Sequence, residues 1–171
     1  MDSALPPPFA AGFCLPEGQE QQGALSLGGV PGTVRLVSVG GLVLNETHFV
    51  AEQPPLPWQH RNERPVVELS FMLAGALRQS QTGLLREQLY VPGYHNWVFN
   101  PDSVEHNQLL GTGQFRLVTV QVPAARLLGL LTDYVPELPA VAEQLARGRP
   151  LVQHAPAAGL SPRLRYLLDT L

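Results

Sequence analysis

Cysteine is nearly absent from this chain of 171 residues: Cys14 stands alone. An intrachain disulfide and a thiolate-based zinc site are therefore excluded. Charge is also sparse, with 15% charged residues, a formal net charge of −3 and eleven scattered basic residues that never form a run. Binding to a nucleic-acid backbone needs clustered cations, so this segment alone does not bind one. No apolar stretch approaches the roughly 20 residues of a membrane span. Met1-Asp2-Ser3 opens the sequence without the basic and apolar regions of a secretion signal, and a cytoplasmic protein is expected. Nucleophile and phosphate-loop patterns are missing too: Ser70 and Ser103 lack a G-x-S-x-G setting, and Gly111-Thr112-Gly113 is not a phosphate loop.

What is present is a globular composition, 44% apolar, long enough for one domain with an appendage. Residues 1–32 read as an irregular N-terminal arm broken by Pro6-Pro7-Pro8 and Gly28-Gly29, with Leu25 and Leu27 fit for a short edge strand. From Thr33 to Val122 the pattern is β. Strands are expected over 33–39, 42–51, 65–78, 84–91, 94–100, 105–110 and 115–122. The stretch 53–64 reads as a loop and Gln79 to Gly83 as a polar turn. In 65–78 neither alternating face is plainly polar, which predicts burial on both sides. After Pro123 the period turns helical, over 124–133, over 138–147 with Gly148 just beyond, and from a Ser161 cap and Pro162 onward. The last apolar stripe, Leu164, Leu167, Leu168 and Leu171, reaches the final residue without a cap, so the sequence reads as cut there.

Two spacings carry chemistry. His60, Asn62, Glu68 and Gly75 form H-x-N-x5-E-x6-G, and Pro101, Ser103 and His106 form P-x-S-x-x-H. They resemble worn copies of the two cupin motifs, which implies a small antiparallel β-barrel, the double-stranded β-helix, with inward side chains around a ligand. A metal-binding cupin would use His60, Glu68 and His106, but Asn62 replaces a second histidine and an amide is a poor ligand for such metals. No metal and no cofactor are therefore expected. Trp58, Tyr94 and Trp97 add aromatic lining to the candidate pocket residues His60, Asn62, Glu68 and His106. Asp102 and Glu105 flank a turn and read as solvated.

The order of parts is similar to the N-terminal regulatory half of AraC-type transcription regulators. Residues 65–75, Pro92-Gly93-Tyr94-His95-Asn96 and Gly159-Leu160-Ser161-Pro162-Arg163-Leu164 carry that resemblance. It implies a barrel over 33–122 that binds a small effector, and a helical segment over 123–171 that forms a homodimer. DNA would be read only by a C-terminal helix-turn-helix half that this sequence lacks. Leu127, Leu128, Leu131, Leu138, Val141 and Leu145 are the expected dimer contacts, shared with packing on the barrel. The expectation is a sensor without catalytic activity. The alternative is a metal-dependent cupin enzyme, a dioxygenase or isomerase.

Overall fold

The computed structural model describes residues 15–62, 65–84, 87–134, 139–154 and 160–169. Two antiparallel sheets face each other. The larger contains, in spatial order, β1 (Glu20–Leu27), β2 (Val30–Val39), β3 (Leu42–Ala51), β10 (Gly113–Pro123), β5 (Val66–Ala74), β8 (His95–Phe99) and β11 (Leu151–His154). The smaller contains β4 (Trp58–Asn62), β9 (Ser103–Leu109), β6 (Leu77–Gln81) and β7 (Gln88–Tyr90). The chain is mainly β, and this arrangement is a cupin-like barrel followed by short helices.

Several expected boundaries move. Residues 20–27 belong to the barrel sheet rather than to an irregular arm, because Glu20 to Leu27 pairs residue by residue with Val37 to Val30. The expected strand 65–78 is two strands. Gly75 breaks it at φ +80, so the chain leaves one sheet as β5 and enters the other as β6. Trp58 to Asn62, expected to be a loop, pairs with Asn107 to Ser103.

Alternation places Phe49, Met72, Leu77, Tyr90, Leu109 and Phe115 between the sheets as the inner core. The opposite face of the large sheet is covered by α1 (Ala124–Tyr134), α2 (Pro139–Ala146) and α3 (Pro162–Asp169). Val67, Phe99 and Val122 pack there against Leu127, Leu131, Val141 and Leu145. Phe71 and Val118 pack against Leu168 of α3. This second layer is why β5 is covered on both faces.

Helix ends follow the local sequence. The Leu164 N–H donates to the Ser161 hydroxyl at 3.2 Å, capping α3. At the end of α2, Gly148 takes φ +62. Its N–H reaches the Leu145 carbonyl at 3.0 Å and the Arg149 N–H reaches that of Gln144 at 2.9 Å, a Schellman closure.

The helix leucines were expected to be shared between packing on the barrel and a dimer seam, and the structure shows the packing. Leu127, Leu131, Val141 and Leu145 are buried within one chain, so they are occupied before any partner arrives. Leu128 is half-buried, and Leu138 lies outside the described residues.

Gly75 is the tightest test of this packing. A Cβ there would collide with the Phe115 ring, and Phe115 stacks on Phe49 with ring centroids 5.1 Å apart. Gly75→Ala is expected to cost about 2–4 kcal/mol, from left-handed strain plus overpacking. Denaturant unfolding measures it, and a loss under about 0.5 kcal/mol contradicts the assignment.

Candidate functional site

The two sheets enclose a partly open cavity of about 160 Å³. Its floor is polar because the inward positions of seven strands carry amides, hydroxyls, carboxyls and an imidazole. From the large sheet come Asn45, Thr47, Glu68, Ser70, Thr119 and Gln121. From the small sheet come His60, Gln79, Tyr90, Glu105 and Asn107. Leu25, Leu27, Leu77, Leu117 and Trp58 supply the apolar part of the wall.

Glu68 on β5 and Glu105 on β9 contribute one carboxyl from each sheet. Glu105 is 6% exposed, while Glu68 keeps some accessible surface because it borders the cavity. Burial raises the Glu68 carboxyl above its ordinary range, against the Gln121 amide that donates to it at 2.8 Å. Glu105 is pushed up to about 8, first by burial and then by the Glu68 charge, with Asn107 opposing. The phenol of Tyr90 is raised well above its usual value by burial and by the same two carboxyls. Two buried like charges cannot both ionise cheaply, so the pair retains a proton near neutral pH and titrates as a unit.

An amide belt holds Glu105 in place. Gln79 Nε2 donates to Glu105 Oε2 at 3.2 Å and to Asn107 Oδ1 at 2.9 Å. Gln81 Nε2 donates to Glu105 Oε1 at 3.2 Å and to Gln79 Oε1 at 2.8 Å. The Tyr90 hydroxyl donates to Gln79 Oε1 at 2.9 Å, and Asn100 Nδ2 donates to Gln81 Oε1 at 3.0 Å.

The expected pocket residues divide. Trp58, His60 and Glu68 line the cavity. Asn62 is half-buried beside Ser103 at the end of β4 and is not part of the lining. Tyr94 sits exposed on the turn before β8. Trp97 pairs with Leu69, on the sheet face opposite the cavity. His106 is exposed on the outer face of β9, and the inward residue there is Glu105. The reading of His106 as an inward residue is therefore corrected by one step of alternation, as is the reading of Glu105 as solvated.

The cupin metal set does not fit these residues. His106 faces out and Asn62 lies off the wall. Among the described residues no three His, Cys, Asp or Glu side chains cluster closely enough to hold a metal ion. No helix among them is long and apolar enough to cross a membrane.

No protein-family model and no curated protein matches the chain. Solved structures resemble it at low identity. FeII HppE is 15% identical over 61% of this chain and 57% of its own, with a TM-score of 0.47. A hydroxypropylphosphonic acid epoxidase from S. wedmorenis is 16% identical over 53% and 50%, at 0.42. A putative mannose-6-phosphate isomerase from Ralstonia eutropha is 15% identical over 63% and 89%, at 0.40. The chain thus spans a little over half the length of the first and half that of the second. These likenesses concern the fold alone. The expectation of a chain without catalytic activity is withdrawn: two of these structures are named for enzymes, and a likeness at this level shows the fold alone.

The carboxyl pair sets the pH response. The folded state keeps a proton that the unfolded chain releases near 4.5, so its contribution to stability is full below 4.5 and is lost as pH rises toward about 8. Unfolding free energy is expected to fall by about 1.4 kcal/mol per pH unit across that window, and Glu105→Gln to flatten the decline. Urea melts at successive pH values check this. Equal slopes in both proteins contradict it.

Proposed function

We propose that the barrel is a small-molecule site with acid–base capacity, an enzyme of the proton-transferring, isomerase-like class that works without a metal. The observation that carries this reading is the convergence of Glu68 and Glu105, from opposite sheets, on one cavity beside Tyr90 and His60. A carboxyl poised near neutrality is suited to general acid–base work, and a pair sharing one proton offers a base and an acid together. The carboxylate removes a proton from a carbon beside a carbonyl. The carboxylic acid gives its proton to the carbonyl oxygen, and reversal at the neighbouring carbon completes an isomerisation. The Gln79–Gln81 belt and Gln121 orient the two carboxyls throughout. The cavity volume suits a ligand of about six to eight non-hydrogen atoms, since a dry cavity of about 150 Å³ accepts benzene.

The test is uptake of solvent deuterium by a panel of three- to five-carbon hydroxy- and amino-carbonyl compounds, followed by proton NMR. Exchange with at least one compound is expected, reduced about 100-fold or more in Glu105→Gln and in Glu68→Gln. Undiminished exchange in both variants, or none with compounds shown to bind, contradicts the acid–base reading.

A second reading is the effector-binding and dimerising half of an AraC-type regulator, reading DNA through a C-terminal domain outside this sequence. One observation favours it. α3 rests directly behind the cavity wall, with Leu168 against Phe71 and Val118, and Arg116 joining the Leu168 carbonyl at 3.2 Å to Glu46 at 2.7 Å. A ligand that shifts β5 or β10 would thereby reach α3. Homodimerisation belongs to this reading. With Leu127, Leu131, Val141 and Leu145 buried in the chain, any seam must use other surface, such as the exposed Leu130, Tyr166 and Leu167.

A further inference from the structure

The charge and hydrogen-bond inventory of the cavity points to the kind of molecule it takes. The titratable groups facing it are His60 on β4, Glu68 on β5, Tyr90 on β7 and Glu105 on β9. Among the described residues no arginine lines it, and the chain contains no lysine. An anionic ligand would therefore meet carboxyls without a fixed cation to hold it. The amide groups of Gln79, Gln81 and Gln121 already donate to the carboxyls or to one another. Ser70 and Thr119, 5% and 7% exposed, face each other across β5 and β10 on the cavity wall and present two hydroxyls that can donate to or accept from a polar ligand group.

The rest of the wall suits an organic cation. Trp58 and Tyr90 offer aromatic rings, and Leu27, Leu77 and Leu117 offer contact for alkyl groups. A proton-sharing carboxyl pair carries about one negative charge, which one positive ligand would balance in a site where an unbalanced charge is costly.

We infer that the cavity binds a small organic ammonium of about seven non-hydrogen atoms, its cationic head between Glu68 and the aromatic wall and its polar tail on Ser70 and Thr119. This rests on the reading of the cavity as a ligand site with a carboxyl pair, and it names the class of molecule that site accepts. The competing source of positive charge is His60 itself. At pH 8 a histidine is ordinarily neutral, and the comparison is made there.

The experiment is calorimetric titration of the full chain at pH 8 with choline and with 3,3-dimethylbutan-1-ol, its uncharged isostere. Choline is expected to bind at least tenfold more tightly. The difference should shrink to less than twofold in Glu68→Gln, while Ser70→Ala weakens both compounds severalfold. Circular dichroism confirms that each variant is folded. Should Glu68→Gln not fold, Glu68→Asp replaces it, and a reduced preference for choline is again the expected result. Equal affinity for the two compounds, or no binding of either, overturns the cation assignment. Selective binding of choline without deuterium exchange in any carbonyl compound leaves that assignment standing and removes the acid–base reading.

Discussion

Two carboxyl groups brought together inside a barrel, one from each sheet, form the constraint around which this molecule is arranged. Left bare, such a pair would oppose folding, because burial and mutual repulsion both act against ionisation. The structure meets this in two ways. One proton is retained, as the upward displacement of Glu105 to about 8 expresses. A ring of amides from β6, β9 and β10 then satisfies the oxygens that remain. The polar interior is thus a connected network rather than a set of isolated defects.

That network is affordable because apolar layers surround it. Phe49 and Phe115 close one end of the barrel interior, and α1 and α2 seal the back of the large sheet through Val67 and Phe99. Gly75 at the β5–β6 corner lets the chain cross between sheets without displacing Phe115. The same corner separates Glu68 from Gln79, so that both look into the cavity from opposite walls.

Much of the architecture was legible in the residues. The strand 42–51 appears with the expected ends, and the two-sided burial of β5 follows from its apolar run. The Ser161 cap and the Gly148 stop appear as local chemistry dictates. The site was less legible, for physical reasons. In the expected strand 105–110 the two alternating faces read Glu105, Asn107, Leu109 and His106, Gln108, Leu110, so both end in leucine and the pattern does not say which face points inward. Gln79 and Gln81 look like turn residues because their partners, Glu105 and Asn107, lie 24 to 28 positions away. The four-residue β11 has no signal apart from its pairing with β8. The leucines of α1 and α2 could be divided between barrel and partner only in general terms, since a helix stripe does not reveal which surface it covers.

The central claim is that Glu68 and Glu105 share a proton within the cavity at neutral pH. Carbon-13 NMR of the glutamate side-chain carboxyls, assigned with Glu105→Gln and Glu68→Gln, observes that proton directly. The account predicts one carboxyl resonance that titrates with a midpoint near 8, coupled to a second that also lies above the ordinary glutamate range. Two resonances that both titrate below pH 5 would show an ionised, independent pair and contradict it.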